Sequence, residues 1–264
     1  MDNDVMISTQ LKTFLDQQVI FFNQPRFIEQ DPISIPHRFS RKEDIEISGF
    51  LAATISWGNR RSILNDADKM MQYFGSSPFD FVMSAKKKQL DKIEGCMHRT
   101  FHAEDLRFFI LSLRNIYLYH GGMEFLFAKY AERKNLQPAI SKFKEIFFSI
   151  PHPGRTLKHI SDPGKGSSAK RINMMLRWFV RQDKKGVDFG IWNSLKPSQL
   201  SCPLDIHSGT IARKLGLLSR IQNDAKAVIE LDAALRSLDP KDPVKYDFAL
   251  FGMGASKEGI NNFS

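Results

Sequence analysis

Apolar residues recur at helical spacing along most of this chain, and the apolar–polar alternation of a half-buried strand is scarce. Over 45–56, Ile45, Phe50, Leu51, Ala52 and Ile55 stand among few polar residues, which predicts a buried helix. The stretch 104–119 carries Leu106, Phe108, Phe109, Ile110, Leu113, Ile116 and Tyr117, and further helices are expected over 124–134 and 138–148. Val228, Ile229, Leu231, Leu235 and Leu238 repeat near the 3.6-residue period over 225–238. The span 169–181 holds Ile172, Met174, Met175, Leu176, Trp178, Phe179 and Val180, is apolar on nearly every face, and should lie deep. A further helix over 208–218 turns Ile211, Leu215 and Leu218 inward.

The punctuation agrees. Asp224 is placed to cap the helix that follows it, and Asp242-Pro243 sets an acid before a proline at a first helical position. No Asn-Gly or Asp-Gly hairpin signal occurs. Irregular chain is expected over 24–36, 149–168 and 182–203. The fold class is therefore all-α, one compact unit over 1–264 without internal repeats or low-complexity linkers.

Composition narrows the function classes. With 264 residues, 42% of them hydrophobic, the chain can bury a substantial core. Its net charge of +9 favours an anionic partner, nucleic acid first. The charge is spread out, except for Lys86-Lys87-Lys88, which reads as a solvated face. Cys96 and Cys202 are the two cysteines, which excludes a disulfide framework and a four-cysteine zinc or iron–sulfur site. The acidic start Met1-Asp2-Asn3-Asp4 shows no secretory signal, and no window approaches a membrane span. A cytoplasmic protein with no membrane association is the expectation.

Two segments carry chemistry. Asp162-Pro163-Gly164-Lys165-Gly166 is a glycine-bearing turn leading to Lys170 at the head of the apolar helix. Such a turn is expected to leave backbone N–H groups free to hold a phosphate. Positive helix-end potential, partial burial and Arg171 all disfavour an ammonium at Lys170, so its amine can serve as a nucleophile near neutrality. Read alone, Lys170 fits an ordinary first-turn surface lysine better than a nucleophile. Some 35 residues on, Pro203-Leu204-Asp205-Ile206-His207 sets a carboxylate and an imidazole ahead of the next helix. Asp205 or Ser208 can cap that helix, and a capping carboxylate can still steady a cationic sugar. His207 is open to a structural role or a phosphate contact.

Together these segments resemble the helix-hairpin-helix superfamily of DNA glycosylases, nearest to the compact archaeal type of 8-oxoguanine glycosylase. Gly166-Ser167-Ser168-Ala169-Lys170 resembles the hairpin end with its catalytic lysine, and Pro203-Leu204-Asp205-Ile206-His207 the block with its catalytic aspartate. Ile55-Ser56-Trp57-Gly58-Asn59-Arg60-Arg61-Ser62-Ile63 resembles the loop that inserts a polar side chain into the duplex. Over nearly its full length the chain also resembles an uncharacterised bacterial family, through Ser56-Trp57-Gly58-Asn59-Arg60, Leu176-Arg177-Trp178-Phe179-Val180-Arg181 and Tyr246-Asp247-Phe248-Ala249-Leu250-Phe251-Gly252. The hairpin departs from the usual Leu-Pro-Gly-x-Gly, the 182–201 insertion is long, and the C-terminal iron–sulfur ligands of some branches are missing.

The glycosylase resemblance implies a two-lobed helical fold with a hairpin-helix element and a central cleft. One lobe would comprise 1–45 plus 220–264, and the other, 46–219, would carry the hairpin and the site. It implies catalytic roles for Lys170 and Asp205, and DNA contacts from Asn59, Arg60, Arg61, Trp57, Gly164, Lys165, Gly166 and His207. The partner would be double-stranded DNA, met by a monomer without cofactor, metal ion or metal cluster. The reaction would be excision of a damaged base, with oxidised purine the analogy, followed by strand scission. Three other classes stay open: a non-catalytic nucleic-acid binder on the same scaffold, an enzyme on a modified nucleoside in RNA, and an interaction protein whose charge is incidental.

Overall fold

The computed structural model describes residues 2–256, with side chains from residue 9 onward. Residues 257–264, the end of the first expected lobe, lie outside the described residues. The chain is mostly helical: α1 (Asp2–Phe22), α2 (Arg26–Glu29), α3 (Lys42–Thr54), α4 (Arg60–Gln72), α5 (Pro78–Ser84), α6 (Lys87–Leu90), α7 (Ala103–Tyr119), α8 (Met123–Lys129), α9 (Gln137–Phe147), α10 (Lys170–Val180), α11 (Ile206–Lys214), α12 (Ala225–Leu238) and α13 (Tyr246–Ala255). A small antiparallel hairpin, β1 (Cys96–His98) with β2 (Phe101–His102), precedes α7. The all-α expectation therefore holds at the level of fold class, with this hairpin as an addition.

The hydrophobic pattern locates the core. Phe50 of α3 packs against Phe109 of α7 and against Phe143 and Phe147 of α9, with ring centroids 5.5 to 5.6 Å apart. Phe127 of α8 stacks on Phe143, and Trp192 from the long insertion closes over Phe127 and Phe179. Such rings bury large apolar areas and lock against one another edge to face. In α3 every residue from Asp44 to Thr54 is buried, so the helix runs through the interior.

The interior has two apolar clusters. The larger spans Ile33 to Leu200 and adds Val244 and Phe248. The smaller gathers Leu15 and Val19 of α1 with Leu204, Ile211, Leu231, Leu235 and Leu250 from the C-terminal quarter. The membership of the two clusters does not follow positions 45 and 220. Ile33, Ile35 and Ile45 belong with the large cluster, while Cys202, Leu204, Ile211 and Leu218 belong with the small one. Helix α13 is the reason, because both α11 and α1 pack on it.

Three expected elements also shift. The helix expected over 124–134 ends at Lys129, and Glu132 bridges Asn135 in a tight turn instead. Asp242 stands at the head of a 3-10 turn (Pro243–Lys245) with Pro243 first, as expected, but its carboxylate makes no cap bond and accepts from Arg181 Nε at 3.0 Å instead. The helix expected over 208–218 begins at Ile206 and stops at Lys214. Asp224 does cap α12, accepting from the Ala227 amide at 3.0 Å.

Candidate active site

A cavity of about 720 Å³ opens between α10, the α3–α4 turn, the head of α11 and α13. Lys170, Arg171 and Arg177 enter it from α10, Trp57, Asn59 and Arg60 from the α3–α4 turn, Asp205 and His207 from the head of α11, and Asp247 and Phe251 from α13. Its volume lies within the range of small-molecule pockets.

Lys170 Nζ lies 3.7 Å from Asp205 Oδ2, although 35 residues separate the two. The side chains are 25% and 21% exposed, so the pair sits at the rim, half withdrawn from water. The Asp205 carboxylate divides its two oxygens. Oδ1 caps α11, accepting from the Ser208 amide at 3.0 Å and from Ser208 Oγ at 3.2 Å, while Oδ2 is turned to the lysine. Behind it, Asn223 Nδ2 donates to the Asp205 carbonyl at 2.9 Å. The carboxylate is thus held by its backbone and by its own helix.

The backbone at the head of α10 is strained. Ala169, fully buried, has φ 46° and ψ 36°, a left-handed conformation unusual for a residue with a Cβ. Its neighbours hold it there. Ser167 Oγ accepts from the Ala169 amide at 3.1 Å, and Asn173 Nδ2 donates to the Ser168 carbonyl at 2.9 Å. Gln137 of α9 in turn fixes Asn173 at 2.9 Å. This aims Lys170 across the cavity mouth while the rest of α10, Ile172 to Val180, is buried.

The glycine turn departs from expectation. The Gly164 amide donates to Asp162 Oδ1 at 3.0 Å and to Ser141 Oγ at 3.2 Å, and those of Lys165, Gly166 and Ser167 donate to backbone carbonyls within the turn. Gly164, Lys165 and Gly166 therefore have no free amide for a phosphate, and none of the three lines the cavity. Asp162 takes the Gly164 amide on its carboxylate and those of Lys165 and Ser167 on its carbonyl, and the Pro163 carbonyl takes that of Gly166. Lys165 keeps an exposed side chain.

Trp57, Asn59 and Arg60 line the cavity and Arg61 does not. Gly58 carries φ 98° between them, a turn that residues with a Cβ rarely adopt. Asn59 is the N-cap of α4, its side-chain oxygen accepting from the Ser62 amide at 3.2 Å, so the side chain expected to enter DNA is engaged by its own helix. The Arg60 guanidinium lies 5.4 Å from the Phe251 ring centroid.

Two arginines of α10 also line the cavity: Arg171, expected only as a charge beside Lys170, and Arg177, for which the sequence suggested no role. The Arg171 guanidinium lies 4.9 Å from the centre of the Trp57 ring and donates to the Thr54 carbonyl. Burial lowers its pKa to about 10, and among the described residues no carboxylate lies within ion-pair distance of it. Arg177 is buried mid-helix, bonded to Asp188 at 3.2 Å and to Asp247. Arg181 continues the network to Asp183, Asp188 and Asp242. An arginine inside Met174-Met175-Leu176-Arg177-Trp178-Phe179 is itself a sign of such partners, because a buried charge must be paired. Among the described residues no helix is long and apolar enough to cross a membrane, and no three His, Cys, Asp or Glu side chains gather to hold a metal ion.

The arrangement supplies an amine beside a carboxylate, an aromatic and cationic rim, and a second, buried carboxylate at Asp247. No curated protein and no solved structure matches the chain. Residues 31–256 match the family described as protein of unknown function (DUF2400), and the chain belongs to that family.

Proposed function

We propose that this protein is a base-excision enzyme, a DNA glycosylase with AP-lyase activity acting through a Schiff base on Lys170, on a two-lobed glycosylase-like scaffold. The observation that carries the reading is the 3.7 Å approach of Lys170 Nζ to Asp205 Oδ2 at the mouth of a cavity of about 720 Å³. Flipping a damaged nucleotide out of a duplex costs a few kcal/mol, least for a damaged base. Trp57, Arg60 and Phe251 offer faces and charge against which an extruded nucleotide can rest.

In this reading the Lys170 amine, once it has given up a proton, attacks C1′ and the C1′–N bond breaks, its electron pair leaving with the base. The proton on the new nitrogen–carbon linkage moves to O4′ as the sugar ring opens, giving a protonated Schiff base. Loss of a C2′ proton then expels the 3′-phosphate and nicks the strand. Asp205 Oδ2 steadies the positive charge that builds at C1′. The exposed cations Arg60, Arg61 and Lys165 contribute salt-dependent phosphate contacts.

An excision screen over duplexes bearing oxidised, deaminated and alkylated bases tests the proposal. Release of one base class with a nick at the same site is expected. Salt-dependent binding without release from any duplex would instead favour a non-catalytic binder.

A further inference from the structure

We propose that Asp247 is the proton carrier of this site, moving a proton between the Lys170 amine and the departing base. This rests on the reading of Lys170 as the nucleophile.

Asp247, in the first turn of α13, lines the same cavity as Lys170 and Asp205 and is only 4% exposed. Its two oxygens differ. Oδ2 is bonded to Arg177 Nη1, whereas Oδ1 faces the Cys202 thiol at 3.8 Å, a weak donor that leaves the oxygen most of its accepting capacity. The titratable and charged groups around it come from α10, from the segment leading into α11 and from the long insertion. Lys170 and Arg177 project from α10, Cys202 and Asp205 from the segment leading into α11, and Asp188 from the long insertion through Arg177. Burial raises the Asp247 pKa to about 6, with the Asp205 charge adding to the rise and Arg177 and Lys170 opposing it.

Two carboxylates in one cavity thus have different surroundings, the usual sign of divided roles. Asp205, one oxygen committed to its helix, serves as the fixed charge beside the sugar. Asp247, dry and titrating near the working pH, suits proton transfer. The step balances without oxidant or reductant. The Asp247 carboxylate takes a proton from the Lys170 ammonium, the neutral amine bonds to C1′, and the electron pair of the broken C1′–N bond stays on the base. The carboxylic acid then returns its proton to that base nitrogen and is a carboxylate again.

Single-turnover excision measured from pH 5 to 9 in the full-length protein tests this, using wild type, Asp247→Asn and Cys202→Ser. The wild-type rate should fall as the pH drops through about 6, where the carboxylate is lost. Asp247→Asn should remove that acid limb and slow excision by roughly 10²-fold or more. Cys202→Ser puts a stronger donor against Oδ1, favours the ionised form, and should move the limb down by about half a pH unit or more. Should Asp247→Asn fail to fold, the serine variant decides. A limb unmoved in Cys202→Ser, or an Asp247→Asn enzyme with the wild-type profile, overturns the proposal while leaving Lys170 in place. Absence of excision by the wild type overturns it together with the reading on which it rests.

Discussion

Gly254 of α13 lies so close to His207 of α11 that a Cβ there would stand 2.7 Å from the His207 carbonyl oxygen. The Gly254 carbonyl in turn accepts from His207 Nδ1 at 2.9 Å, which leaves Nε2 as the nitrogen free to face a ligand. The contact fixes the head of α11, and with it Asp205, against α13 and Asp247. Gly254→Ala would collide with backbone, which cannot rotate away as a side-chain end can. We expect a loss of about 1–3 kcal/mol in urea unfolding and slower excision by the variant that remains folded. An unchanged midpoint would mean that this approach is not a constraint on the site.

The divided carboxylate of Asp205 separates stability from chemistry. Asparagine caps helices as well as aspartate does, so Asp205→Asn should leave the unfolding free energy nearly unchanged, while Asp205→Ala should lose about 1 kcal/mol with its cap. Both should slow excision by roughly 10²- to 10³-fold, since both remove the negative charge facing Lys170. An Asp205→Asn enzyme working at the wild-type rate would remove the charge from the mechanism.

Glu46 is a buried acid with a consequence for pH. Tyr117 Oη donates to its Oε2 at 2.5 Å and Trp192 Nε1 to its Oε1 at 2.6 Å, tying the long insertion to α3. Burial pushes its pKa up to about 7, from an ordinary value of 4.5. The folded-state value lies above the unfolded one, so the neutral acid favours the fold below about pH 4.5, and that contribution is lost as the pH rises through 7. Between pH 5 and 8 the wild type should lose about 2–3 kcal/mol of stability relative to Glu46→Gln. Parallel stability curves for the two proteins would show that Glu46 does not titrate in this window.

Much of the helical scaffold is legible in the sequence, since long apolar runs such as those of α7 and α10 leave few alternatives. What is missed has identifiable reasons. Helix α4 buries only Ile63, Ala67, Met70 and Met71 on one face, and its polar remainder hides the spacing. The β1–β2 hairpin turns through Arg99 at φ 50°, without the glycine that usually marks such a turn. That Lys170 and Asp205 stand at helix heads after a glycine or proline turn is legible in the sequence, but their meeting is only what the glycosylase resemblance implies, since no spacing pairs residues 35 positions apart. Asp247 is not, because its partners Arg177 and Cys202 lie far away in the chain and only the fold assembles them. The hairpin amides look available in the sequence, yet Asp162 and Ser141 consume the Gly164 donor, and Ser141 lies on another helix.

The central claim is that the Lys170 amine bonds to the sugar. Borohydride added during turnover reduces the Schiff base to a stable link, and peptide mass mapping of the trapped adduct locates it. The account predicts a deoxyribose-derived mass on the peptide containing Lys170, and no adduct from a folded Lys170→Gln variant. A mass on Lys165 or any other amine, or an undiminished adduct in Lys170→Gln, would contradict it.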